Sequence, residues 1–202
     1  MTIRAIIFDL GGVLLSPPTL RPLREAHARV LGVSYEKLAP AWRAGYEEWK
    51  RGRIDGRTFW QRLFEQLGVR GDIDALMEMM FEFSKPDKKM FELVRDLRAR
   101  GYRIVVFSNT LREWYEFQRQ KFGYAELFDA EMLSFELGCA KPEQQCYAKV
   151  LDKLGLKAEE CVFVDDDPEN VAVARRQGMC AVRFESVEQL RASLSSLGVE
   201  LD

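Results

Sequence analysis

Five short runs of β-branched and aromatic residues, alternating with helical patterns over the second half of the chain, constrain its fold more than any other feature. They are "IRAIIF" (3–8), "YRIVVF" (102–107), "AEMLSF" (130–135), "CVFV" (161–164) and "CAVRF" (180–184). The first, second and fourth are nearly continuous apolar runs, as expected of strands covered on both faces. "MFELVRDLRARG" (90–101) and "LREWYEFQRQKFG" (111–123) each end in basic residues and a glycine, which is a helix stop. "PEQQCYAKVLDKLG" (142–155) and "PENVAVARRQG" (168–178) open with Pro at a first helical position and close on Gly. Strands alternating with helices predict an α/β fold with a parallel sheet and helices on both faces.

Residues 16–86 break this rhythm. They read as four helices, 20–31, 35–50, 57–67 and 73–83, with no strand, bordered by "SPP" (16–18) and "SKP" (84–86). The expected division is an α/β core of 1–15 and 87–202 with a helical cap of 16–86 inserted after the first strand. Trp42, Tyr46 and Trp49, and Trp60, Phe64 and Leu67, recur at helical spacing and read first as packing between cap helices. Arg43, Arg51, Arg53 and Arg57 read as solvated surface.

A net charge of -2 leaves no electrostatic footprint for nucleic acid or an anionic membrane. No apolar run approaches the roughly 20 residues of a membrane span, and "MTIRAIIFDLGG" reads as a core strand instead of a signal peptide, so a cytoplasmic location is expected. Cys139, Cys146, Cys161 and Cys180 show no CxxC spacing and read as buried reduced thiols. With His27 as its only histidine, the chain must draw its chemistry from carboxylates, lysine and hydroxyls.

In an open parallel sheet, ligands bind beyond the carboxyl ends of the strands. The first strand runs into Asp9, Gly11 and Gly12; the second into Ser108, Asn109 and Thr110; the third towards Lys141; the fourth into Asp165, Asp166 and Asp167. Singly, each has a plain structural reading: a turn, a helix cap, a loop lysine, an N-cap at Asp167 before Pro168. Three consecutive acids beside a buried strand repel one another, and a cation or a hydrogen-bond network must offset them. Jointly, the groups suggest phosphoryl transfer with a carboxylate nucleophile. Carboxylates would hold Mg²⁺, and hydroxyl, amide and ammonium groups would hold the phosphoryl oxygens.

"IIFDLGGVLL", "VVFSNT", "LSFELGCAKPE" and "VFVDDDPENV" together resemble, in order and spacing, the four motifs of the haloacid dehalogenase-like superfamily of hydrolases. The resemblance implies a Rossmann-like, doubly wound parallel sheet of strand order 5-4-1-2-3 and the small helical cap of subfamily I. It makes Asp9 the nucleophile, with Ser108 and Asn109 on the phosphoryl group and Lys141 neutralising it. Mg²⁺ would be held by Asp9, the Gly11 carbonyl, Asp166 and Asp165, the last of these through water. The implied function is hydrolysis of a small phosphorylated metabolite through an aspartyl-phosphate, by a monomer or homodimer. No nucleic-acid or membrane partner is expected.

Gly11 departs from the pattern. Most phosphatases of the superfamily have Asp there as general acid and base, worth about 10² to 10⁴-fold. Either the leaving group needs little protonation, or a cap residue or water supplies the proton. A leaving group that needs little protonation is an anomeric sugar oxygen or an acyl group, and "FDLGG" openings resemble sugar-1-phosphate phosphatase-like members, which makes a sugar phosphate one candidate substrate. Two alternatives stand beside this reading. One is a catalytically impaired binding or regulatory protein, motivated by Gly11. The other is a haloacid dehalogenase, against which the three acids count because that chemistry needs no metal.

Overall fold

The computed structural model describes residues 2–17 and 19–201; Pro18 of the "SPP" border and the terminal Met1 and Asp202 lie outside the described residues. The strands are β1 (Ala5–Phe8), β2 (Leu15–Ser16), β3 (Lys85–Pro86), β4 (Arg103–Ser108), β5 (Ala130–Leu133), β6 (Cys161–Asp165) and β7 (Cys180–Arg183). The helices are α1 (Arg21–Val30), α2 (Tyr35–Trp49), α3 (Gly56–Leu67), α4 (Ile73–Phe81), α5 (Lys88–Ala99), α6 (Arg112–Phe122), α7 (Ser134–Leu137), α8 (Gln144–Leu154), α9 (Pro168–Arg176) and α10 (Val187–Ser196).

β5-β4-β1-β6-β7 form one parallel sheet, which is the expected doubly wound α/β, Rossmann-like order. The apolar runs at 5–8, 104–107 and 161–164 are buried on both faces, as their composition requires. Alternation splits them between two cores. Ile6, Phe8, Ile104, Val106, Val162 and Val164 face α5 and α10, whereas Ile7, Val105, Phe107 and Phe163 face α8 and α9. Phe8 pairs with both Val106 and Val164, so β1, β4 and β6 end together, at Asp9, Ser108 and Asp165.

α1 to α4 pack around an apolar cluster of their own. Its centre is aromatic: Trp42 meets Phe59 and Trp60 edge-on, and Trp49 stacks on Phe59 at 4.7 Å. Leu111 and Trp114, from the start of α6, join this cluster and tie it to the sheet.

Four expectations need correction. β2 and β3 pair antiparallel, so the borders of the helical insertion form a two-stranded ribbon; two-residue strands show no periodicity, and Pro86 disguises one of them. The third run stops at Leu133, because Ser134–Leu137 turns into α7 and ends at Gly138 with φ +67°. Pro142 precedes α8 instead of opening it, since Glu143 is the N-cap. Cys139 and Cys146 form a disulfide, with only Cys161 and Cys180 free. The turn after α7 folds back onto the first turn of α8 and sets the two Cα atoms 5.8 Å apart, a proximity that a separation of seven in sequence does not reveal.

Candidate active site

Lys141 lies at the centre of the strand-end cluster. Its ammonium is 2.6 Å from Asp165 Oδ2 and 3.0 Å from Asp9 Oδ2, and its side chain is 1% exposed. Phe107 and Phe163 present their rings to the same nitrogen at 5.2 and 5.4 Å. Burial disfavours this ammonium, but the Asp165 and Asp9 carboxylates more than offset that and leave its pKa above the ordinary lysine value. The Lys141 main chain is held at both ends by Asn109, whose Oδ1 accepts from its N–H and whose Nδ2 donates to its carbonyl, each at 2.8 Å. Asn109 therefore positions the lysine, and one Nδ2–H is left to face a ligand.

Asp165 is fully buried. Its carboxylate accepts from Lys141, from the Asp167 N–H at 2.9 Å and from Asn170 Nδ2 at 3.1 Å through both oxygens. This network offsets the cost of burying the charge. Asp9 accepts from the Leu10 N–H at 2.7 Å, and the nearby Ser108 hydroxyl favours its charged form. Asp166 is half-buried and faces Gly12. The Asp167 carboxylate caps α9 by accepting from the Glu169 N–H at 2.8 Å and stands outside the three-acid cluster, although it lines the cavity. Ser108, Asn109 and Thr110 do not cap α6, since its N-cap is Leu111.

The donor set fits a divalent cation. Asp9, Asp165 and Asp166 each bring a carboxylate oxygen within 4.8 Å of the others. Burial, opposed by Lys141 and reinforced by Asp165, pushes the Asp9 carboxyl up to about 6. Burial and Asp165 also raise Asp166. Three carboxylates thus share one ammonium, and oxygen-only ligands suit Mg²⁺.

The two glycines differ. Gly12 has φ +80°, and a Cβ there would meet Asp166 Oδ2 at 2.4 Å. Gly11 has neither constraint, because a Cβ there would meet nothing within 4 Å. Backbone geometry therefore demands Gly12 but leaves room for a side chain at 11.

Asp9, Gly11, Ser108, Asn109 and Asp166 line the floor of a cavity of about 240 Å³. Its roof comes from Leu15, Pro17, Leu20, Tyr46, Ser84, Trp114 and Gln118. Sequence reasoning missed Asn170, though it lies five residues after Asp165 on the first turn of α9, where a polar side chain returns to the strand end. It also missed Trp114, whose role in the roof depends on tertiary packing. Trp42, Trp49 and Trp60 are fully buried among the insertion's helices, whereas Tyr46, on the same stripe, lines the cavity. Arg51 joins Glu47 and Glu143, Arg57 joins Asp74, and neither lines the cavity.

A buried lysine bridging strand-end carboxylates on a doubly wound sheet defines an aspartate-centred hydrolase class. The chain belongs to the haloacid dehalogenase-like hydrolases, whose family model matches residues 3–178. It is 30% identical to a sesquiterpene phosphatase of Aspergillus oryzae over 91% of this chain and 90% of that protein. It is also 29% identical to a phosphatase of Mycobacterium tuberculosis, over all of this chain and 98% of that one. Among solved structures, a HAD-like hydrolase of Porphyromonas gingivalis superposes with a TM-score of 0.82 at 25% identity, over 99% of this chain and all of that one. A Bacteroides thetaiotaomicron HAD-family enzyme, solved with magnesium and inorganic phosphate, shares the fold at TM-score 0.79 and 22% identity, over 93% of this chain and 98% of that one. The protein is thus a hydrolase of this family, of the phosphatase kind.

Proposed function

We propose that this enzyme is a Mg²⁺-dependent phosphomonoesterase acting on a small phosphorylated metabolite through an aspartyl-phosphate on Asp9. The observation that supports this most is Asp9 itself: a carboxylate at the cavity floor, held by Lys141 and the Leu10 N–H, beside two further acids. Asp9 attacks phosphorus, and the leaving oxygen departs with the bonding electron pair; water then cleaves the acyl phosphate and regenerates the carboxylate. Ser108, the free Asn109 N–H and Lys141 hold the phosphoryl oxygens. Asp9, Asp166, the Gly11 carbonyl and, behind them, Asp165 would hold Mg²⁺. When bound, Mg²⁺ supplies the positive charge that lets an anionic nucleophile approach an anionic phosphoryl group. Residues 16–86 act as a cap that closes the cavity from above and excludes water. Solution location follows the same reading: a cytoplasmic enzyme, in which no described helix is long and apolar enough to cross a membrane.

The test is phosphate release from a panel of sugar, acyl, alkyl and aryl phosphates, with and without Mg²⁺, for wild type and Asp9→Asn. Sugar phosphates belong in it because the "FDLGG" opening points to them. Release that needs both Mg²⁺ and Asp9 is expected. Equal rates for the two proteins would overturn the assignment of Asp9.

A further inference from the structure

The cavity's two halves differ in chemistry. All the charged residues in its lining are floor acids, Asp9, Asp166 and Asp167. None of the described lining residues is Lys, Arg or His. Arg24 lies close enough to Tyr46 to act on its hydroxyl electrostatically, but does not line the cavity. The roof offers Leu15, Pro17, Leu20 and two aromatic rings, Tyr46 and Trp114, beside the polar Ser84 and Gln118. An ester with a second phosphate or a carboxylate would bury that charge beside three acids with no cation to pair it. A sugar would have to exchange much of its hydration for these rings and alkyl groups, with Ser84, Gln118 and the Tyr46 hydroxyl the polar groups of the described roof that could replace it.

Two further observations narrow the ligand. Trp114 is 6% exposed, and its Nε1–H has no partner. That N–H is itself buried away from the cavity, so Trp114 meets a ligand through its ring and not through a donor. The cavity, of about 240 Å³, opens to solvent, and its enclosed part has room for one ring beside the phosphoryl group. Position 11, meanwhile, provides no proton donor for the leaving oxygen. A phenolate, whose conjugate acid has a pKa of about 10, departs unaided far more readily than an alkoxide, whose conjugate acid is much weaker.

Resting on the phosphatase reading above, we propose that the substrate class is the monophosphate of a compact, uncharged phenol, with its ring held by Tyr46, Trp114 and Leu20. Asp9 Oδ attacks phosphorus, the P–O(aryl) bond breaks, and the phenolate takes its proton from water. Hydrolysis of the aspartyl-phosphate then consumes a second water and releases inorganic phosphate.

Phenyl phosphate, benzyl phosphate and glucose 6-phosphate separate the terms, assayed on the full chain with Mg²⁺. Benzyl phosphate keeps the ring but has an alkoxide leaving group. KM for both ring esters should lie about tenfold or more below that for glucose 6-phosphate. The kcat should be higher for phenyl than for benzyl phosphate. Leu20→Lys, at the half-buried rim, should raise KM for both ring esters about tenfold and improve fructose 1,6-bisphosphate. Trp114→Ala should do the former, and Leu20→Lys keeps the test intact if that variant fails to fold. A KM for glucose 6-phosphate equal to or below that of the ring esters overturns the proposal. So does a preference for phenyl phosphate that Leu20→Lys leaves unmoved, since leaving-group reactivity would then explain it. If no ester of any class is hydrolysed, the phosphatase reading fails with it.

Discussion

The floor and the roof of the cavity solve opposite problems. On the floor, every buried charge is answered: Asp165 has three partners, Lys141 among them, and Lys141, which also meets Asp9, is gripped at its backbone and its ammonium. In the roof and in the helices that carry it, buried groups are answered by shape. His27 is fully buried with Nε2 donating to the Leu76 carbonyl at 3.0 Å, stacked on Trp42 at 5.3 Å, and its Nδ1 has no partner. Trp60 and Trp114 likewise leave Nε1–H groups unpaired. A charge lattice fixes atoms for chemistry, whereas an aromatic pack fixes a surface for recognition. The floor should therefore respond to perturbation through charge, and the roof through volume and through burial of its one histidine.

The largest effect belongs to the floor. Asp9→Asn keeps the shape but removes the nucleophile, and kcat should fall by about 10⁴-fold or more. Lys141→Met comes next. It leaves Asp9 and Asp165 facing each other in a buried site, and losing one partner of such a pair costs about 3 to 5 kcal/mol. Urea unfolding at pH 7 should register that loss, partly recovered by adding Mg²⁺. A loss below about 1 kcal/mol would mean that the floor is held by packing, as the roof is.

The roof has its own test, of somewhat smaller size. Burial pulls the His27 pKa down to about 4, from an ordinary 6.5, and the Leu76 carbonyl only partly opposes it. The unfolded chain therefore takes up a proton that the folded chain refuses. Stability is fully present above pH 6.5 and is lost as pH falls towards 4, by about 3 kcal/mol over that window. Denaturation midpoints measured from pH 8 to pH 4 should fall less steeply, by about one proton, in His27→Phe. Identical slopes would place the acid sensitivity on the floor instead.

The same contrast explains what the sequence made legible. The floor is written at strand ends, where an apolar run stops at a polar group. Sheet order, Asp9, Ser108, Lys141 and the Asp165–Asp166 pair could all be read from such stops and their family resemblance. Asn109 could be located but not understood, because its bonds to Lys141 span 32 positions. The roof was located as a helical insertion, yet its inner face was not. Trp42, Tyr46 and Trp49 share one helical stripe, but only Tyr46 reaches the cavity, and Trp114 joins from a helix beyond the insertion. Helical spacing tells which residues share a face and does not tell what that face meets. The β2–β3 ribbon and the Cys139–Cys146 bridge were missed for a related reason, since both are contacts between segments that carry no periodic signal.

Gly11 sits where floor and roof meet, and it provides the finest test of the contrast. The cavity is open there, so Gly11→Asp should fold, whereas Gly12→Ala should not fold well: its φ is +80° and Asp166 occupies the space. A well-positioned general acid is worth about 10² to 10⁴-fold, and a newly introduced one should reach less, about tenfold, on an alkyl ester such as benzyl phosphate. On phenyl phosphate, whose leaving group needs no proton, the gain should vanish. The added carboxylate should also cost some affinity for anionic esters, since it joins three acids that share one ammonium. A gain confined to the poor leaving group would show that the floor is complete except for a proton donor and that the roof does not supply one. Equal or lower kcat on both esters would mean that the roof already delivers the proton, with the Tyr46 hydroxyl the first group to remove.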